Sequence, residues 1–437
     1  MQPSFNKTKA KLSLLPLLVF VGLFLGAGLY LQSQGVDYAF YQLPAPVAIL
    51  PAIMLAFILN KNTINHSVET FIKGAGHSNI ITMCLIYLLA GAFSAVAGAT
   101  GGVDAVVNAG LSLIPPALLL PGLFLIAAVV STAMGTSMGT IGAIGPIAYA
   151  VAQKTGIDPS LMAGTIVSGA MFGDNLSIIS DTTIAATRTQ GCEMKDKFRE
   201  NLKIALPAAA LTIGLLFFLT PTAEAVKTQD FDILLVLPYA FILVLAVMGF
   251  NVFVVLFSGI IFAALMGFTG SYEGASFVKD VYKGFTDMQE IFLLSMFIGG
   301  LSEFIRINGG LDYIANKIQA ITKIIAKWHR KVADQLGIAA LVMTSNLCIA
   351  NNTVSIIVAG PIAKKLADDG EITGKRSASL LDIFACVTQG SLPYGAQALL
   401  LGATFKISPW EVSTSSYYCF ILAFTAVAVI CLRRNKA

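Results

Sequence analysis

Apolar runs recur along the chain from Leu12 to Leu432. Many are long enough to cross a hydrocarbon core of roughly 30 Å, which takes about 20 helical residues. A chain built this way has few options. In lipid every backbone polar group must be satisfied internally, so the spanning pieces are helices. With 56% hydrophobic and 12% charged residues, no stretch is polar enough for a separate soluble domain. The sequence therefore reads as an all-α polytopic membrane protein. The first run follows Lys7, Lys9 and Lys11 and resembles a signal peptide, but with so many later spans it is expected to be a transmembrane helix.

The sequence repeats itself. "KGAGHSNIITMCLIYLLAGAFSAVAGATGGVDAVVN" from Lys73 is echoed by "KGFTDMQEIFLLSMFIGGLSEFIRINGGLDYIAN" from Lys283. Both open on Lys-Gly and close on Gly-Gly-x-Asp (Asp104, Asp312) and an asparagine (Asn108, Asn316). "GPIA" at Gly145 recurs at Gly360, and Gly173 and Gly390 follow at nearly equal distances. Such ordered self-similarity signals structural repeats. The chain divides into an N-terminal tail (1–11), a first membrane repeat (12–222), a linker (223–230), a second repeat (231–432) and a C-terminal tail (433–437). The first half is expected to place helices near 12–31, 43–60, 79–98, 101–113, 114–152, 159–186 and 204–222. The second is expected to place them near 231–248, 250–268, 291–306, 309–327, 336–366, 377–405 and 414–432.

Basic groups cluster at the N-terminus, at Lys61 and Lys73, across Arg188–Lys203, across Lys317–Lys331, and at Arg433, Arg434 and Lys436. All five clusters fall on the cytoplasmic side, with both termini, if each half makes about five crossings plus one re-entrant hairpin. Five is odd, so the halves are inverted, an architecture common in secondary transporters. The run 114–152 is long enough to be the hairpin. A net charge of +4 spread over loops is an orientation signal and gives no nucleic-acid patch. Five cysteines lie in apolar segments and Cys192 in a basic loop, which argues against a disulfide framework.

The polar breaks inside apolar segments fall at matched positions: "STAMGTSMGTIG" and "NLCIANNTVS", then "GDNLS" and "GSLPYG". Broken helix is tolerated at membrane depth only where protein or a water-filled cavity lines it, and matched breaks point to a midplane site. Small residues also pack ordinary helix contacts in membranes. The candidate cavity residues are Thr132, Gly135, Thr136, Ser137, Gly139 and Thr140 in the first half. In the second they are Asn346, Asn351, Asn352, Thr353, Ser355, Gly390 and Ser391. The strongest signal is "FGDNLSIISDTTIAATRTQG". A charge at mid-membrane costs at least about 2.5–3.5 kcal/mol on insertion scales. Asp174 and Asp181 lie seven residues apart, close to two helical turns, and would titrate as a coupled pair. Asn175, Ser177, Thr182 and Thr183 supply neutral oxygens beside them, so a small desolvated cation or a proton is the expected occupant. The competing reading for Asp181 is a helix cap near the interface. The second half has no acid at the matching break, so the fold is duplicated and the charge is not. Asp382 is a weaker cavity candidate, Glu303 and Arg306 are expected to pair one turn apart, and His66, His77 and His329 are read as loop residues. No P-loop and no catalytic Ser/His or Cys/His pattern is present, so neither an enzyme nor an ATP-driven pump is expected, and no cofactor.

"GDNLSIISDTT" with the upstream "MGTSMGTIGAIGPIA" resembles the NhaC family of bacterial Na+/H+ antiporters, within the ion transporter superfamily. The resemblance covers most of the chain, including "TSNLCIANNT". It implies two inverted repeats of five crossings plus a hairpin, a homodimer in a bacterial inner membrane, and Na+ and H+ as coupling ions. It places Asp174, Ser177, Asp181, Thr182 and Thr183 at the cation site, with Na+ at Asp174, and Gly135, Thr136, Ser137, Gly139 and Thr140 at the first hairpin tip. The sequence departs from the family pattern at Asn175, where lysine is frequent, and at Ile178, where proline is. Because relatives in the superfamily carry organic molecules, the alternative is an H+- or Na+-coupled amino-acid or organic-acid transporter.

Overall fold

A computed structural model describes residues 7–36, 39–60, 63–113, 115–220, 232–270 and 272–432. The linker 223–230 and the tail 433–437 lie outside the described residues. The described chain is helical, without strands. The first half runs α1 (Leu15–Ser33), α2 (Leu50–Leu59), α3 (Ile64–Ala75), α4 (Ser78–Ala99), α5 (Gly102–Leu113), α6 (Leu119–Met134) and α7 (Ser137–Thr155). It finishes with α8 (Pro159–Leu176), α9 (Asp181–Gln190) and α10 (Met194–Leu219). The second half runs α11 (Leu237–Val247), α12 (Val252–Phe268), α13 (Gly274–Asp287), α14 (Gln289–Ile307), α15 (Gly310–Ile349, kinked at His329) and α16 (Asn352–Asp369). Then come α17 (Gly374–Gly390), α18 (Ala396–Phe405), α19 (Pro409–Thr414) and α20 (Tyr417–Leu432).

Four helical stretches among the described residues are long and apolar enough to span a bilayer: Thr8–Leu31, Ser78–Ala99, Met194–Leu219 and His329–Ile349. Shorter apolar helices, among them Leu119–Met134 and Ala396–Phe405, are the lengths that broken spans produce. The breaks expected from sequence occur. Gly135 takes a left-handed φ of 70° and Thr136 an extended one, turning α6 back into α7. Ala350 (φ 53°) and Asn351 do the same between α15 and α16. The other two breaks separate α8 from α9 and α17 from α18.

Three expectations need correction. Residues 64–75 and 274–287, read as loop, form α3 and α13. Neither is apolar enough to span, but Ile64, Val68 and Ile72 sit at fourfold spacing and are exposed, an apolar stripe suited to an interface. His66 therefore lies in a helix, His77 caps α4, and His329 marks the kink of α15. The basic stretch Arg188–Lys203 is largely helical as well, because α10 begins at Met194, ten residues before the apolar run.

The repeated Lys-Gly acquires a packing role. α3 crosses α14, and α13 crosses α4, each at a glycine pair. A methyl group added to Gly74 would lie 2.4 Å from the Gly299 carbonyl oxygen, and one on Gly284 would lie 2.4 Å from that of Gly91. Each half thus lays its amphipathic helix on the other half's span. Gly284→Val is expected to cost ~1–3 kcal/mol by overpacking this crossing. Gly98→Ala, which meets nothing within 4 Å, should leave the melting temperature in detergent unchanged, and paired thermal melts compare the two.

Candidate ion-binding site

The break between α8 and α9 sits against the hairpin tip. α8 reaches it by close packing on α6, where a methyl on Gly173 would meet the Ala128 carbonyl oxygen at 2.4 Å. This brings Asp174, 4% exposed, to the start of α7. The Ser137 hydroxyl donates to Asp174 Oδ2 at 3.0 Å, and the Thr182 hydroxyl donates to Oδ1 at 3.4 Å. Ser137 is the first residue of α7, so the positive end of that helix also faces the carboxylate. Among the described residues no lysine, arginine or histidine forms an ion pair with Asp174.

The interrupted backbone is satisfied by side chains. Ser177 Oγ donates to the Thr132 carbonyl at 2.9 Å, and Thr132 Oγ1 donates to the Ala128 carbonyl at 2.8 Å. Thr183 Oγ1 donates to the Ser177 carbonyl at 2.7 Å, and Ser180 caps α9 by accepting from the Thr183 N–H. The Asn175 carbonyl accepts from Lys197 Nζ at 3.1 Å and from Asn201 Nδ2 at 2.8 Å. Lys197, fully buried, also donates to Thr183 Oγ1 at 2.7 Å and pairs with Asp382 Oδ2 of α17 at 2.7 Å. Asn201 reaches the same Asp382 oxygen at 2.7 Å.

Of the residues singled out from sequence, the structure joins Asp174, Ser137 and Thr182 directly. Thr136 caps α7, Thr140 bonds back to the Thr136 carbonyl, and Gly139 accommodates that cap. Asn175 and Thr183 touch Lys197, and Ser177 and Thr132 tie α8 to α6. Asp181 does not join the group. It is exposed in the first turn of α9, one residue past the cap. An acid there faces the helix's positive end, the reading that competed with a ligand role. In the second half Asn351 caps α16, Asn346 Nδ2 donates to the Ala385 carbonyl, and Asn352 Oδ1 accepts from the Thr353 N–H. Ser355 bonds Asn351 and Asn346. The Gly390 carbonyl accepts from Ser416, and Ser391 bonds back to Val387. None of these touches Asp174. Besides the Asp382 contacts, two unexpected residues tie the Asp174 ligand Ser137 to the second half: Gln397 Nε2 donates to Ser137 Oγ at 3.2 Å, and Gln389 Nε2 donates to Gln397 Oε1 at 2.9 Å.

Lys197 and Asn201 were hidden because the charged head of α10 reads as loop. Their spacing of four, continued by Ile204 and Ala208 on the same buried face, is the signal that finds them. The lysine absent at position 175 thus has a counterpart on α10. Glu303 and Arg306 pair as expected, at 2.6 Å. Among the described residues no group of three or more His, Cys, Asp or Glu converges, so a cation at Asp174 would be held by one carboxylate and neutral oxygens.

The comparisons agree with the motif. A model of the Na+/H+ antiporter family matches residues 5–220. The chain is 25% identical over 377 residues to the NhaC Na+/H+ antiporter of Alkalihalophilus pseudofirmus, covering 78% of this chain and 80% of that one. The chain belongs to the Na+/H+ antiporter family. Other relatives of this antiporter-family chain are the malate-2H+/Na+-lactate antiporter of Bacillus subtilis (24% identity, 89% of each chain) and the arginine/ornithine antiporter ArcD of Halobacterium salinarum (24% identity, 89% and 86%). The YdaH transporter of Alcanivorax borkumensis aligns over 97% of this chain and 98% of that one, with a TM-score of 0.43 at 14% identity.

In this antiporter-family fold the Lys197–Asp382 pair has no exposure, and removing one partner of such a pair leaves a bare buried charge. Lys197→Met is expected to destabilise the protein by ~3–5 kcal/mol, and adding Asp382→Asn should restore most of that loss. Thermal melts of the two variants in detergent measure it.

Proposed function

We infer that the chain is a multi-pass secondary transporter that exchanges Na+ for H+ at Asp174 by alternating access. The observation that carries this reading is a buried carboxylate at the junction of two helix breaks, held by two hydroxyls and paired with no fixed cation. Burial disfavours the charged form, so the carboxylate takes a proton or a desolvated cation. Ser137 and Thr182 oxygens are hard ligands suited to Na+. One carboxylate cannot hold both ions, and that competition is enough for exchange when the site opens to each side in turn.

The halves are read as inverted repeats of about five crossings plus a hairpin, the first hairpin being α6–α7. The matched element order and reciprocal glycine crossings support this. Loop charge supports cytoplasmic termini in a bacterial inner membrane, and the family resemblance supports a homodimer. Cavities on the two crossings differ in size. One of about 630 Å³ includes Gly91, Lys283, Asp287, Glu290 and Leu399 in its lining. The one at the other crossing, lined by Gly74, His77, Gly299 and Asn351, is about 50 Å³. A carrier open on one side has this asymmetry.

In proteoliposomes a Na+ gradient alone should drive proton movement, and Asp174→Asn should abolish it. Asp181→Asn, at an exposed position outside the Asp174 cluster, should leave the exchange rate near that of wild type. Wild-type exchange after Asp174→Asn sinks the assignment. Because protons and Na+ compete for one group, the Na+ concentration giving half-maximal rate should rise as pH falls, and proton-loading at constant maximal rate checks the sign. Proton flux that needs malate, lactate or arginine in addition to Na+ would favour the solute-coupled alternative.

A further inference from the structure

The buried charges around the break do not cancel. Asp174 and the Lys197–Asp382 pair meet at one break, since the carbonyl of Asn175, the residue after Asp174, accepts from the Lys197 ammonium that pairs with Asp382. The Lys197 ammonium is surrounded by Asp382 Oδ2 at 2.7 Å, Thr183 Oγ1 at 2.7 Å and the Asn175 carbonyl at 3.1 Å. That is a cage of hard oxygens of the kind a free monovalent cation would occupy, filled by a tethered one. Asn201 adds a second donor to the same carboxylate oxygen and to the same carbonyl. The thiols of Cys192 and Cys386 and the phenol of Tyr418 also face this cluster and are ordinarily uncharged at neutral pH. One turn along α10, Glu200 is answered by Lys203 at 2.6 Å. Two negative groups and one positive group leave a single net negative charge, on Asp174.

We propose that Lys197 is a resident cation that permanently neutralises Asp382, so that the carrier exchanges one Na+ for one H+ without moving net charge. The proposal rests on the antiport reading and adds its stoichiometry. Its physical core is the cost of carrying charge through a low-dielectric barrier. With Na+ or a proton on Asp174 the cluster is neutral and is free to change sides. Empty, it keeps a bare charge and stays where it is. Obligate exchange follows from that difference, with no gate dedicated to the empty form. Lys197 is a positioning residue here, since it touches the second carboxylate and the broken backbone and makes no bond to Asp174.

The test uses the full-length protein in proteoliposomes, with Na+-driven proton flux read by an internal pH dye while potassium and valinomycin set the membrane potential. The expected result is the same rate, and the same zero-flux ion gradients, at positive, zero and negative potential. A potential that drives flux alone, or shifts the zero-flux gradients, overturns the proposal. Uptake of radioactive Na+ should follow a hyperbola with a Hill slope of about one, whereas a slope of about two overturns it. The double variant Lys197→Met/Asp382→Asn removes one charge of each sign. Its exchange is expected to be slower and still insensitive to potential, and charge movement in this variant overturns the charge count. Absence of any Na+-driven proton movement in the wild type overturns the antiport reading itself, and the stoichiometry with it.

Discussion

The Lys197–Asp382 ion pair is the contact on which the centre of this molecule depends. Both side chains are fully buried, 2.7 Å apart, and they join α10 of the first half to α17 of the second. A pair of this kind returns little net stability against well-packed apolar residues, because desolvation offsets the attraction. Its value here is positional. The same ammonium holds the Asn175 carbonyl and Thr183 Oγ1, one on each side of the α8–α9 break. Without it, the backbone that opens at Asn175 would keep only Asn201 as a partner in a place where water is scarce.

The hydroxyl-rich composition of the break follows from the same constraint. Unwinding four residues at membrane depth exposes carbonyls and N–H groups that a helix would have satisfied. Ser177, Ser180 and Thr183 answer most of them, which leaves few hydroxyls over for an ion. Those that remain, Ser137 and Thr182, come from the two helix starts that face Asp174. On the proposed reading, architecture and ion binding divide one set of similar residues between them. Residue type alone does not say which serves which.

That division explains what could be read from sequence. The helical class and the polar breaks were legible, because lipid forces long apolar runs and makes every interruption conspicuous. Asp174 was legible for the same reason. Asp181 looked equivalent by spacing, but the break between the two residues destroys the helical register on which that argument stood. Lys197 was illegible in the opposite way. It sits among Lys195, Arg199 and Lys203, where a charge looks solvated, and only the start of α10 at Met194 turns it inward. α3 and α13 were missed because amphipathic helices lying along an interface carry no span-length apolar run. Gln389 and Gln397 carry no sequence signal, and only the meeting of α7 and α18, from different halves, brings Gln397 to Ser137 with Gln389 behind it.

The Gln389–Gln397–Ser137 chain ties the second half to Asp174, since the matching break there carries no acid of its own. Gln389 also donates to the Ala350 carbonyl at the second hairpin tip, so both hairpin tips and both breaks are connected by hydrogen bonds to one carboxylate. Ser137 receives from Gln397 and gives to Asp174, so its hydroxyl has a fixed direction while Asp174 is ionised. A proton on Asp174 Oδ2 would compete with that donation and free Ser137 to turn. A Na+ would instead recruit the Ser137 oxygen as a ligand. On the proposed reading the two ions would pull the same hydroxyl in different ways, and Gln397 would carry that difference onto α18. Leu399, two residues further along α18, lines the larger cavity. A reorientation of one serine is small, but it acts where the two halves meet, which is where a change in access has to begin.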